Sequence, residues 1–248
     1  MQTSIVIPTY NHTGFLKSCV QSVLAATDLD KRDCEIVVVA NGCKDGSEDY
    51  VRSLGSPRIR VLSDPEPLGF TKAVNWGIGE SRGEFVVLLN DDVQILDWGR
   101  DDAWLKMLES PFSDPRMGLT GSNKDYWGGG KWFLVFFCTM IRRKVFDEIG
   151  ILDEAFNPGA GEDCDFSIKA QMAGWKMKQV PFEDDRKWGT AMPIWHIGHG
   201  TLAGMVGFDE IAARNTAELE RRYPRTEKDR KFQADFSRGT LNGAFHPV

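Results

Sequence analysis

Through its first ninety residues the chain alternates short apolar runs with stretches whose apolar positions recur at helical spacing. The runs cover residues 4–7, 35–39, 58–62 and 84–89, and their β-branched and aromatic members predict strands buried on both faces. Between them lie three helical faces, formed by Phe15, Val20, Val23 and Leu24, then Tyr50, Val51 and Leu54, then Phe70, Ala73, Val74 and Ile78. Strand-helix alternation of this kind predicts a mainly parallel sheet with right-handed crossovers. Each strand then ends in turn formers and polar groups: Pro8-Thr9-Tyr10-Asn11, Ala40-Asn41-Gly42, Ser63-Asp64-Pro65 and Asn90-Asp91-Asp92. In a parallel sheet these four segments share one edge, where ligands of open α/β sheets bind. The fourth is the sharpest, because an all-apolar run stops at two adjacent carboxylates that suit a hard divalent cation bridging phosphates.

The second half is less regular. Residues 126–132, rich in Gly and Trp, predict a flexible loop that keeps Trp127 and Trp132 exposed. Trp175, Trp188 and Trp195 read as core. An apolar run over 133–141 follows, then a short helix over 142–149. The turn Asn157-Pro158-Gly159-Ala160-Gly161 precedes a helix that opens on Glu162-Asp163-Cys164-Asp165, carries Phe166, Ala170 and Ala173 on one face, and stops at Gly174. A last helix, residues 209–222, ends at Tyr223-Pro224, and a polar tail follows.

Composition narrows the class only moderately. The chain has 248 residues, 42% hydrophobic and 27% charged, and a formal net charge of −6, a profile of a globular protein with no general nucleic-acid surface. Its five cysteines contain no CxxC pair, which disfavours a disulfide scaffold or structural zinc site and points to a reducing cytoplasm. No signal peptide or membrane-spanning run is evident.

Gly77, Gly79 and Gly83 imitate a dinucleotide fingerprint, but they close a helix and precede a strand, the reverse of the required order, so they read as helix-end and turn glycines. Gly128 to Gly130 before Lys131 lack the context of a phosphate-binding loop. Three carboxylates in four positions, Glu162, Asp163 and Asp165, exceed what helix capping needs, and one is a candidate general base. His196 and His199, separated by Ile197 and Gly198, can offer imidazole to a metal.

Taken together, the strand entry Ser4 to Asn11, the segment Glu35 to Asn41 with Asp45-Gly46-Ser47, Leu68-Gly69-Phe70 leading to Asn75-Trp76-Gly77-Ile78, the run Leu88 to Val93, and Gly161 to Phe166 resemble family 2 glycosyltransferases in order and spacing over roughly residues 3–201. The resemblance implies an α/β GT-A fold: a single Rossmann-like open mixed sheet, mainly parallel, flanked by helices. One catalytic domain would span 1–248, with residues 1–120 for the nucleotide sugar, 121–203 for acceptor and catalysis, and 204–248 as helix and tail. It further implies an inverting reaction from a nucleoside-diphosphate sugar to a glycan or glycoconjugate hydroxyl, with Mn²⁺ or Mg²⁺. Asp163 would be the base, with Glu162 beside it, and Asp163 would rely on position more than on a raised pKa. Asp92 with His196, or the rival His199, would hold metal. Pro8, Thr9, Tyr10, Asn11, Asn41, Asn90 and Asp91 would bind the donor, and Trp127, Trp132 and Asp165 the acceptor. Ala40 stands where many members carry an Asp for the base edge, which leaves UDP, dTDP and GDP donors open. Val74 likewise replaces an Arg, so Lys72 is the remaining phosphate contact. A non-catalytic nucleotide-sugar-binding module and a metal-dependent nucleotidyltransferase are the rival classes.

Overall fold

The computed structural model describes residues 2–96, 102–180, 192–198 and 207–237. The four sequence-predicted strands are β1 (Thr3–Thr9), β2 (Cys34–Asn41), β3 (Ile59–Asp64) and β4 (Phe85–Leu89), separated by α1 (Thr13–Ala26), α2 (Ser47–Ser53) and α3 (Phe70–Glu80). All four run parallel, in the order β3-β2-β1-β4. A short strand β5 (Val93–Ile95) and helix α4 (Ala103–Glu109) lead to a long hairpin, β6 (Met117–Gly128) and β7 (Lys131–Arg142). The sheet continues as β4-β7-β6-β8, with β8 at Lys176–Gln179 and β7 antiparallel to both its neighbours. This is the expected open, mainly parallel mixed sheet.

Side-chain alternation along the strands builds two cores. Ile5 and Ile7 of β1 face one, filled by α1 and by Trp104, Leu105 and Leu108 of α4. Val6 faces the other, filled by Val74 and Ile78 of α3, by Val145 and Phe146 of α5 (Arg143–Ile149) and by Phe166 and Ala170 of α6 (Glu162–Met172). Gly77 lies in the last turn of α3, at the helix end as expected, and packs against β1, where an added Cβ would sit 2.3 Å from Val6 Cγ1, so the helix approaches the sheet only because that side chain is missing.

The Gly- and Trp-rich stretch is also corrected, because it is the tight end of the β6–β7 hairpin rather than a flexible loop. Beyond α7 (Phe208–Arg222) the polar tail forms α8 (Glu227–Ser237), whose Asp229 accepts hydrogen bonds from Gly129 N and the Tyr126 hydroxyl at the hairpin tip. Among the described residues no helix is long and apolar enough to cross a membrane.

Candidate active site

Because β1, β2 and β4 are parallel, Pro8-Thr9-Tyr10, Asn41 and Asn90-Asp91-Asp92 meet at one edge, as their positions in the chain predict. They line a cleft of about 460 Å³ together with Phe136, Phe137, Asn157, Ala160, Glu162, Asp163 and His196, among others. A cavity of that size accepts a small-molecule ligand.

At the strand ends the carboxylates are held by local register. Asn90 N–H donates to Phe137 O, carrying the chain one step past the end of β4. Asp91 Oδ2 accepts from Thr9 Oγ1 at 2.6 Å and lies 3.6 Å from His12 Nδ1. The Asp91 carboxylate beside it raises the imidazole pKa of His12, against the opposing effect of burial. Asp92 is buried, and its Oδ1 lies 3.4 Å from Nε2 of His196. His196 arrives there because β9 (Ile194–His196) pairs antiparallel with β5, with Val93 opposite His196, and its ring stacks on Phe137 at 4.1 Å. A carboxylate oxygen and an imidazole nitrogen 3.4 Å apart are a donor pair that would suit a divalent cation. Among the described residues no group of three or more His, Cys, Asp or Glu side chains could hold a metal ion by itself. His199 lies outside the described residues.

The loop after β2 is fastened by Asp45, which accepts from Thr13 N at 2.7 Å and Ser47 Oγ at 2.6 Å. Burial alone would raise its pKa, but these bonds outweigh it and bring the group down to about 2.

Across the cleft, α6 begins after Gly161, a left-handed residue with φ 115°. Burial and the charge of Asp163 push Glu162 up to about 8, and Glu162 Oε2 has no hydrogen-bond partner among the described residues. Burial also raises Asp163, to about 6, although N–H groups of Cys164 and Phe136 donate to it. The expectation that Asp163 relies on position rather than a raised pKa is thereby corrected: the cleft walls desolvate it.

The other sequence-predicted residues divide. Asn41 Oδ1 accepts from Leu68 N, joining the second strand end to the opposite lip. Asn11 and the exposed Lys72 stand outside the cleft lining. Trp127, expected exposed for an acceptor, is only 4% exposed; its Nε1 donates to Tyr223 O and its face is covered by the Arg225 guanidinium at 3.9 Å. Trp132 is half-buried, its ring against Tyr126 and under Lys124 Nζ, and it does not line the cleft. Asp165, the third acceptor candidate, is fully buried against Tyr223, Arg222 and Lys169, away from the cleft. Trp195, read as core, is 42% exposed, and Trp188 lies outside the described residues. Sequence reasoning missed His12 and Asn157. The position of His12, three residues beyond Thr9 at the start of α1, was the available signal.

Comparison with known proteins bears on this geometry. Residues 4–120 match the family model described as Glycosyl transferase family 2. The chain is 28% identical over 125 residues to the glycosyltransferase AglE of Haloferax volcanii, a match covering 50% of this chain and 39% of that protein. The chain spans well under half the length of the curated relatives it matches. Among solved structures it is similar to a mannosyltransferase from Pyrobaculum calidifontis in complex with GDP-Man and Mn²⁺, with TM-score 0.59, 19% identity and coverage of 73% of this chain and 55% of that one. GalNAc-T7 with UDP, GalNAc and Mn²⁺ gives TM-score 0.60 at 18% identity, covering 71% and 42%. At these identities the structural likeness establishes the GT-A fold, and residues 4–120 are similar in sequence to the family 2 glycosyltransferases.

Proposed function

We propose, for a chain that resembles family 2 glycosyltransferases in sequence and has the GT-A fold, that it transfers a sugar from a nucleoside-diphosphate sugar to a hydroxyl of a glycan or glycoconjugate, with inversion at the anomeric carbon. One observation carries the reading: a single cleft has the Asp92–His196 pair at the strand-end edge and the raised carboxyl of Asp163 across from it.

In this reading Pro8, Thr9, Tyr10 and Asn41 flank the nucleoside, and Asn90 and Asp91 orient the ribose and sugar. Thr9 Oγ1 donates to the Asp91 carboxylate and fixes its orientation. Asp92 and His196 would hold Mn²⁺ or Mg²⁺, which would neutralise charge developing on the leaving diphosphate. Asp163 accepts the proton of the acceptor hydroxyl while that oxygen bonds to the anomeric carbon and the diphosphate oxygen leaves from the opposite face. A carboxyl raised to about 6 is still mostly ionised near neutral pH and is a stronger base than an ordinary aspartate. Glu162, higher still, keeps its proton longer and limits the negative charge beside the base.

The reading is tested with UDP-, dTDP- and GDP-sugars and Mn²⁺ or Mg²⁺, following nucleoside-diphosphate release and metal-dependent thermal shift. Release coupled to transfer supports it. Thermal shift without release on any acceptor would favour a binding module, and consumption of a nucleoside triphosphate with pyrophosphate release would favour nucleotidyl transfer.

A further inference from the structure

α7 presents a stripe of four residues, Asn215, Leu219, Arg222 and Tyr223, at the i, i+4, i+7, i+8 spacing of one helix face. All four act on the segment that carries the two cleft carboxyls. The loop 157–161 has Ala160 in the left-handed region at φ 73°, between Gly159 at φ 154° and Gly161 at φ 115°. That conformation is uphill for alanine and persists only where surrounding contacts over-determine it.

A full account of the loop's carbonyls shows what does so. Pro158 O accepts from Phe70 N, and Gly161 O from Asp165 N within α6. The other three go to α7. Asn215, 1% exposed, brings Nδ2 to 2.8 Å from Gly159 O and 2.9 Å from Ala160 O, and to 3.0 Å from Phe156 O just before the loop. Asn157 O accepts from Arg214 Nη2 at 2.7 Å, and Arg214 Nε in turn donates to Asn215 Oδ1. Leu219 Cδ1 would lie 3.1 Å from a Cβ added at Gly161. On the far side of the pair, Tyr223 Oη and Arg222 Nη1 donate to Asp165 Oδ1 at 2.9 and 3.0 Å, and Arg222 also reaches Asp153 at 2.7 Å. Glu162 and Asp163 are therefore fastened on both flanks by a helix that lines no part of the cleft.

We infer that α7 is the clamp that aims Asp163, with Asn215 as the positioning residue that holds the strained loop before it and the Tyr223–Asp165 contact as the second anchor. The inference rests on the reading of Asp163 as proton acceptor.

The full chain carrying Asn215→Ala is compared with Asn215→Ala/Ala160→Gly and with Tyr223→Phe. Asn215→Ala is expected to lower kcat roughly 10- to 100-fold, the scale of a small misplacement of a reacting group, while the KM for donor stays within about twofold. Adding Ala160→Gly should recover much of the loss, because glycine takes the positive φ without the Cβ penalty. Tyr223→Phe, which keeps the ring and removes only the hydroxyl, should move kcat in the same direction by less, and serves if Asn215→Ala does not fold. Amide hydrogen exchange over residues 157–165, a readout that needs no substrate, should speed up in Asn215→Ala while β1 to β4 are unchanged. Wild-type exchange in that segment overturns the clamp, as does a fall in kcat matched by an equal loss of donor affinity. A wild-type chain that releases no nucleoside diphosphate from any donor overturns the functional reading instead, and the exchange measurement still decides the clamp.

Discussion

The cleft side chains of residues 2–96 and His196 are positioned by backbone pairing, whereas Glu162 and Asp163 are positioned by side chains reaching to the backbone before them. Thr9, Asn41 and Asp91 stand where parallel strands end, and each is fixed by its neighbour in the sheet: β1 pairs with β2 from Thr3↔Cys34 to Thr9↔Ala40, and Thr9 in turn bonds Asp91 beyond β4. Glu162 and Asp163 have no such ladder before them. Their loop depends on Asn215 and Arg214, more than fifty residues on, and their helix on Tyr223. Pairing by ladder is local in its errors, since losing one side chain leaves the strand in place. Support by a remote helix concentrates geometry in a few side chains, so substitutions far from the cleft can act on its chemistry.

Five substitutions separate the two regions. The largest effect is expected from Asp163→Asn, which should lower turnover roughly 10²- to 10⁴-fold with nucleotide binding intact; near-normal turnover would take the proton-accepting role away from it. Next, Asp92→Ala and His196→Ala should each weaken Mn²⁺-dependent nucleotide binding by roughly 10- to 100-fold, and titrations with unchanged metal-linked affinity would contradict the strand-end site.

Glu162→Gln should act mainly on stability. The folded chain holds this carboxyl at about 8, above its ordinary 4.5, so it keeps a proton that the unfolded chain releases. The favourable contribution is complete below the ordinary value and is lost as pH rises through about 8, because the folded state binds more protons than the unfolded state in that window. Wild-type Tm should accordingly fall across that range and the Glu162→Gln curve should be flatter; superimposable curves would remove the buried-acid argument. The smallest effect is expected at the hairpin tip. Trp127→Phe deletes the hydrogen bond to Tyr223 O and should cost about 1 kcal/mol in denaturant unfolding, with the acceptor KM unchanged; a raised acceptor KM would return Trp127 to the cleft.

The strands β1 to β4, the helices between them and the convergence of Asn90-Asp91-Asp92 with Pro8-Thr9-Tyr10 were legible in sequence, because a buried parallel strand needs continuous apolar residues and its end must turn. The Glu162-Asp163 helix was legible for the same local reason, its acidic start following a Pro and Gly turn. Asp165 was misjudged although helix geometry bears on it. Two positions on from Asp163 is about 200° around the helix, so when Asp163 faces the cleft Asp165 faces away from it. Trp127 was misjudged because glycines suggested an exposed loop, whereas three consecutive positive-φ glycines make the tight end of a hairpin.

By itself, then, the sequence determined the parallel strands β1 to β4, the edge at which their polar ends gather, and which residues could carry charge there, since each follows from periodicity and turn chemistry within a few positions. Only the tertiary structure decided that His196 stands opposite Asp92, that Asp165 belongs to an ion cluster rather than the cleft, and that Asn215 holds the loop before Asp163. Those are contacts between elements more than fifty residues apart, and their partners are chosen by packing of the whole chain, which no local pattern records.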